Sequence, residues 1–245
     1  MCEWITGRNP VYEVLQARRR QPFRLQVAEG VQEKGRLGDI LHLAGLQKIS
    51  IEQVPRSHLD KLSIGHQGVA LEVSGYSYSA LADILDLANQ RGEPPFVLIL
   101  DTLQDPQNLG TLLRTAEAVG LHGVLLPLRH TVTVTPAVVN ASSGACEHLL
   151  IAQVNLAQGI DTLKEAGVWV VGLDTDPQAQ EASQVRLDNS LALVVGSEGE
   201  GMRPLVRQSC DILMRLLIRG RIGSLNAAVA GSIALYLAWQ ARKTG

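Results

Sequence analysis

The stretch DPQNLGTLLRTAEAVG, residues 105–120, decides how the chain is read, because it follows an apolar strand pattern and opens a helix. Asp105-Pro106 is a turn signal, and Asn108 is an N-cap candidate whose side chain can accept from a free backbone N–H. Leu109, Leu112, Leu113, Ala116 and Val119 recur at helical spacing and predict one buried face. Gly120 is placed to end the helix. Arg114 fits two readings. It can pair with Glu117 on the surface, or it can face a substrate.

The chain has 245 residues, enough for one large domain or two smaller ones, and its 46% hydrophobic content suits a folded protein. A net charge of −2 excludes a strong whole-molecule pull on nucleic acid, so RNA binding would need a local patch. Residues 1–80 carry ten Lys/Arg against eight Asp/Glu, which makes that part +2 and the remainder −4. Arg18, Arg19, Arg20 and Arg24 form the densest basic group. They read either as a solvated helix end or as RNA phosphate contacts. Cys2, Cys146 and Cys210 are scattered and lack metal-ligand spacing. That predicts a reducing compartment, with no metal and no disulfide framework. The opening MCEWITGRNP has no apolar signal core, so a cytoplasmic location is expected. The uncharged run 222–241 approaches the roughly 20 residues of a membrane span. Gly223, Ser224, Asn226, Ser232 and Gln240 make it a poor one. It predicts no membrane contact but a helix buried in protein, a second subunit included.

The first 75 residues alternate helix and strand patterns. A helix from Pro10 to about Arg20 precedes the apolar FRLQVAEG, and RLGDILHLAGLQ precedes KISIEQV. GVALEVS sets Val69, Leu71 and Val73 on one face, the period of a half-buried strand. This is a small α/β domain. Residues 76–93 read as a linker, with a short helix possible in LADILDLAN. From 94 to 245 the runs FVLIL, GVLLP, VWVVGLD, LALVVG and DILMRLLI alternate with helix patterns. Continuous apolar strands with helices between them predict a parallel sheet covered on both faces. Ligands of such sheets bind beyond the carboxyl ends of the strands.

Three of those strand ends carry unusual residues. The first is the opening stretch. The second is GSEGEGMRPLV, with Gly196, Glu198 and Gly201. It is not a dinucleotide loop, because its order is G-x-x-G-x-G and its two carboxylates would repel a pyrophosphate. It suits a tight turn or a close approach to an uncharged or cationic ligand. The third is IRGRIGSLNAAVAG, in which Ser224 reads as an N-cap and Asn226 as a first-turn residue.

In order and spacing, NLGTLLRTAEAVG, VVGSEGEGMRPLVRQSCD and IGSLNAAVAGSIALY resemble the three motifs of the SpoU-type RNA ribose 2′-O-methyltransferases of the SPOUT superfamily. The resemblance spans about 94–242. ITGRNPVYEVLQ and HQGVALEVSGYSYSALADIL further resemble the members that methylate a guanosine ribose in 23S ribosomal RNA. It implies a C-terminal trefoil-knotted, Rossmann-like parallel sheet, and a small N-terminal α/β domain similar to a ribosomal protein. It also implies a homodimer through the last helix and S-adenosyl-L-methionine as methyl donor. The chain departs from the pattern at Leu216-Leu217-Ile218, where the family commonly has Ile-Pro-Met, and at Ala227-Ala228, where Val-Ser is common. Losing the proline frees a torsion and adds an N–H at the cofactor-lining stretch.

By position, the resemblance assigns cofactor contacts to Gly196, Gly201, Leu216, Leu225 and Ile218. It assigns catalysis to Arg114, Asn108, Glu198, Ser224 and Asn226. Arginine is a poor base, so the expected role of Arg114 is to hold a phosphate and stabilise a developing oxyanion. A transfer RNA methyltransferase and a non-catalytic RNA-binding assembly factor of the same fold are the alternative readings.

Overall fold

The computed structural model describes residues 2–221 and 223–244 and divides into two compact units. The first comprises Met1–Ser77 and Thr133–His148; the second comprises Tyr78–Val132 and Leu149–Gly245. The second stretch of the first unit lies within the segment expected to belong wholly to the C-terminal domain.

The first unit is built on a four-stranded sheet. Strand β1 (Cys2–Thr6), which the sequence did not announce, pairs antiparallel with β4 (Val69–Ser74). β4 pairs antiparallel with β2 (Pro22–Ala28), and β2 pairs parallel with β3 (Ser50–Val54). The alternation in β4 sends Val69, Leu71 and Val73 into the core as predicted, but Ala70 is buried too, against Ala28 and Leu59. Helices α1 (Arg8–Ala17), α2 (Arg36–Leu46) and α3 (Arg56–Asp60) belong to this unit. So do α6 (Pro136–Ala141) and a 3-10 turn at Ala145–His148. Helix α1 stops at Ala17, three residues before the expected end, because Arg18 takes the left-handed conformation (φ 51°) and its N–H bonds Val14 O.

That early stop turns Arg20 inward. Its side chain is wholly buried; Nη1 reaches Glu3 Oε2 at 2.6 Å and Nε donates to Glu147 Oε1 at 2.9 Å. Burial alone would lower its pKa, but Glu147 and Glu3 outweigh burial and hold the guanidinium above its usual value. Arg20 therefore leaves the expected RNA-binding group. It ties Thr133–His148 to the sheet of this unit.

The second unit carries the predicted parallel sheet, with seven strands in the order β7-β6-β5-β10-β8-β11-β9 and every pair parallel. The five expected runs form β5 (Phe96–Leu100), β6 (Gly123–Pro127), β8 (Trp169–Leu173), β10 (Leu191–Val195) and β11 (Ile212–Arg215). Two short edge strands, β7 (Ile151–Val154) and β9 (Gln180–Glu181), complete it. The residues expected to form a linker contain α4 (Leu81–Arg91), whose Ile84 is fully buried in the core of the sheet. Helices α4, α7 (Leu156–Glu165) and α8 (Pro204–Gln208) contribute Ile84, Leu156, Ile160, Leu163 and Val206 to the core on one face. Helices α5 (Pro106–Ala118) and α9 (Ala227–Thr244) pack together, and Gly231 of α9 lies so close to Leu112 and Val195 that a Cβ there would strike Leu112. From β5 the chain steps outward to β6 and β7, then crosses to β8, and β10 fills the place between β5 and β8. The order reverses there, so a crevice at the carboxyl ends of β5 and β10 is the expected ligand position.

The expected uncharged run begins at Ile222, which lies outside the described residues; Gly223–Asn226 lead into α9, and 227–241 lie within it. No helix among the described residues is long and apolar enough to cross a membrane.

Arg20→Met tests the buried pair. It strands the Glu147 carboxylate and should cost about 3–5 kcal/mol of stability in urea unfolding followed by circular dichroism. Arg20→Met/Glu147→Leu should recover most of that loss. An unchanged midpoint in the single variant would show that the pair does not hold the unit.

Candidate active site

β5 and β10 end level with each other, Leu100 opposite Val195, and Asp101 N–H donates to Val195 O at 2.8 Å. Asp101 is fully buried. Its Oδ2 accepts from Arg203 N and its Oδ1 from Arg203 Nε, both at 2.7 Å. A loop leaving β10 at Gly196 is therefore brought back at Arg203 to the end of β5. Inside it Ser197 and Gly201 exchange backbone hydrogen bonds at 3.0 and 3.1 Å, and Gly199 and Gly201 take positive φ. A Cβ on Gly196 would land on the backbone of Gly201 and Met202. Glycine is required there because the loop folds back onto its own root.

The sequence assigned both helix caps to the wrong residues. Asp105, not Asn108, caps α5: its Oδ1 accepts from Gln107 N at 3.0 Å, and Pro106 occupies the first helical position. Asn108 is left buried in the first turn. Asn226, not Ser224, caps α9: its Oδ1 accepts from Ala228 N at 2.9 Å and Val229 N at 3.1 Å. With its oxygen committed, the Asn226 amide turns its NH2 outward. That group donates to Asn108 Oδ1 at 3.1 Å and to Glu198 Oε1. Three segments separated by up to 118 positions in sequence thus meet at one amide.

Beside this junction lies a cavity of about 380 Å³. The five residues expected to hold the cofactor, Gly196, Gly201, Leu216, Leu225 and Ile218, all line it, together with Glu198 and Ser224. Leu217, which stands where the family commonly has proline, is exposed, so its neighbours and not its own side chain face the cavity. Asn108 and Arg114 are not in the lining. Arg114 is exposed on α5. Sequence reasoning missed Leu173, Asp174 and Thr175, which form a wall at the end of β8, and Arg207. Burial alone would raise the Asp174 pKa, but the hydrogen bond from Arg207 Nε at 2.7 Å and backbone donation from Asp176 N hold it below the usual range. The rule that ligands sit beyond strand ends already pointed to 174; what it lacked was an unusual residue pattern. Among the described residues no cluster of His, Cys, Asp and Glu could hold a metal. The apolar walls Leu173, Val195, Met202 and Leu225, with a glycine-lined edge and the three carboxylates Asp174, Glu198 and Glu200, suit an uncharged ring bearing a cationic tail.

The family model for the SpoU rRNA methylase family matches residues 95–236, and the one described as RNA 2′-O ribose methyltransferase substrate binding matches 4–79. A TrmH family tRNA/rRNA methyltransferase of Bacillus subtilis is 44% identical over 98% of this chain and 96% of its own length. The chain belongs to the SpoU rRNA methylase family. The SpoU methyltransferase AviRb of Streptomyces viridochromogenes, solved in complex with AdoMet, superposes with a TM-score of 0.80 at 22% identity, covering all of this chain and 92% of that one. An AdoMet-bound rRNA methyltransferase of Sinorhizobium meliloti gives 0.77 at 22% identity over 98% of this chain and 87% of its own. As a SpoU-family member the chain is an RNA ribose 2′-O-methyltransferase, and its fold is that of these enzymes.

The other three residues of the expected RNA-binding group of this methyltransferase differ in availability. Arg24 stacks over Trp4 and pairs with Glu72 at 2.7 Å. Arg19 donates to Tyr76 Oη at 3.1 Å. Arg18 is exposed at the end of α1.

Gly196→Ala should weaken AdoMet binding by at least about tenfold, ~1.4 kcal/mol, in calorimetric titration. The cause is displacement of the loop by its own backbone clash rather than filling of the cavity. Wild-type affinity in the folded variant would detach this loop from the cofactor site.

Proposed function

We propose that this SpoU-family enzyme transfers the methyl group of S-adenosyl-L-methionine to the ribose 2′-hydroxyl of a guanosine in 23S ribosomal RNA. The observation that carries the reading is the junction of Asn108, Glu198 and Asn226 beside a cavity lined by glycine backbone and apolar walls. The ribosomal target is supported by the substrate-binding match over 4–79 and by the N-terminal motifs. The order of β5, β10, β8 and β11, with the loops after β10 and β11 sharing one cavity, supports a knotted C-terminal path.

Gly196, Gly201, Leu216, Ile218 and Leu225 would hold the cofactor. When bound it supplies a methyl group activated by a sulfonium centre. The protein must then orient the ribose and accept one proton. Glu198, an exposed carboxylate held by Asn226, would take the 2′-hydroxyl proton as the oxygen–carbon bond forms. Ser224 lines the same mouth as a hydroxyl donor. Arg114, exposed and outside the cavity lining, would meet the RNA, gripping a phosphate and stabilising charge on the attacking oxygen.

The uncharged last helix supports a homodimer. Val229, Ile233, Tyr236 and Leu237 are exposed at spacings of four, seven and eight, one stripe of α9. The N-terminal unit would supply RNA contacts through Arg18 and Arg19. Removal of 1–75 would also unpack Thr133–His148, so point substitutions are the cleaner probe.

Arg114→Ala should lower single-turnover methyl transfer by about two to three orders of magnitude at saturating cofactor. Arg114→Lys, which keeps the charge but loses the planar fork, should also be badly impaired, with melting temperature and cofactor affinity nearly unchanged. Near-normal rates in Arg114→Ala would return Arg114 to a surface role. Ribose-methylation mapping in a deletion strain should lose one guanosine site in 23S RNA; loss confined to transfer RNA would redirect the assignment. Ile233→Asp/Leu237→Asp should halve the mass seen by light scattering, whereas a monomeric wild type at micromolar concentration would exclude the dimer.

A further inference from the structure

A second cleft, of about 440 Å³, opens at the carboxyl ends of β6 and β7. We propose that it is an RNA subsite that holds a phosphodiester and nucleoside next to the methylated ribose. The inference rests on RNA methylation as the activity, but not on which nucleotide is the target.

Charge makes the first argument. Arg129, His130 and Arg203 line the cleft, and no carboxylate does, in a chain whose net charge is −2. Elsewhere Arg24, Arg36, Arg186, Arg207 and Arg215 are matched by carboxylates, while Arg18, Arg56 and Arg91 are exposed with no ion pair among the described residues; what distinguishes the cleft is that three basic side chains share one lining. Arg129 and His130 are exposed and form no ion pair among the described residues. Arg203 is half-exposed, with Nε held by buried Asp101 at 2.7 Å. The guanidinium is thereby fixed by one edge, which leaves its Nη groups for an acceptor that takes two donors, as a phosphate does.

Shape makes the second argument. Leu128 and Leu205 lie in the same lining, and each is 62% exposed. Large apolar side chains so uncovered beside cationic ones offer a surface for a sugar or base while the cations take the phosphate. Position makes the third. Met202 and Arg207 line the cofactor cavity, while Arg203, Leu205 and Val206, between them in sequence, line this cleft. One short segment forms a wall of both. A strand whose target ribose enters the first site would pass its neighbouring nucleotide over the second.

The test uses the full-length protein, unmodified 23S ribosomal RNA transcript, and transfer RNA in parallel. Filter binding is measured across a salt series, with cofactor affinity by calorimetry. Arg129→Gln/His130→Gln should weaken binding of the RNA that is methylated by about tenfold and make its log–log salt dependence shallower by about 0.7–0.9 for each phosphate no longer neutralised. Cofactor affinity should stay at the wild-type value. Leu128→Ser should weaken binding without changing the salt slope, since an apolar surface releases no counterions. Arg91→Gln removes one charge from α4, outside this cleft, and should leave the slope unchanged. Unchanged affinity and slope in the double variant, or an equal effect from Arg91→Gln, would overturn the subsite. A wild type that methylates neither RNA would overturn the proposed function instead, and the binding data would still judge the cleft.

Discussion

Everything at the candidate active site turns on the amide of Asn226. Its oxygen is claimed by the first free N–H groups of α9, which must find an acceptor if the helix is to begin there. The nitrogen then has no choice of direction, and it donates to Asn108 and Glu198. A requirement of helix capping thus links the first turn of α5 and the loop after β10. The same side chain caps α9 and orders the polar groups of the candidate site, whereas the sequence offered Ser224 as the cap and Asn226 as a first-turn residue.

Asp101 performs the matching task on the other side. It is buried at the end of β5, beside the central strand β10, where a polar side chain must be partnered. Both partners come from Arg203. The loop between Gly196 and Arg203 is consequently pinned at both ends, and its glycines let the backbone double back between them. This pinning places one wall between the candidate cofactor cavity and the cationic cleft. The parallel sheet supplies the level platform, since the register of β5 and β10 brings both loops out at one height.

Patterns that repeat within a few residues were legible. The five apolar runs became five parallel strands, and the period-two alternation of β4 set its core face. The opening stretch formed its helix with Leu109, Leu112, Leu113 and Ala116 buried. Errors arose where two residues competed for one local role. Asp105 displaced Asn108 as cap because an aspartate followed by proline satisfies both the cap and the first helical position. Arg20 looked like one more cation in a run, but the chain reverses at Arg18 and directs its side chain to Glu3 and Glu147. Glu147 lies 127 positions away, and no local pattern links it to Arg20. The helix in 81–91 was faint because only Ile84 and Ala88 of its residues are buried.

The sequence by itself determined the class of the chain. Apolar strands at regular intervals leave few ways to bury them other than a helix-covered parallel sheet, and three ordered polar motifs at strand ends mark the family. Both properties are local, because hydrophobic period and turn chemistry act over a few residues. Only the tertiary structure decided which polar groups meet. It joined Asn226 to Asn108 and Glu198, Asp101 to Arg203, and Arg20 to Glu147. Those pairings span tens of residues or more. Buried Asp101, Arg20, Glu147 and Asn108 demand partners that only the folded chain can bring within reach, and the Asn226–Glu198 contact follows from the direction the α9 cap imposes on the amide.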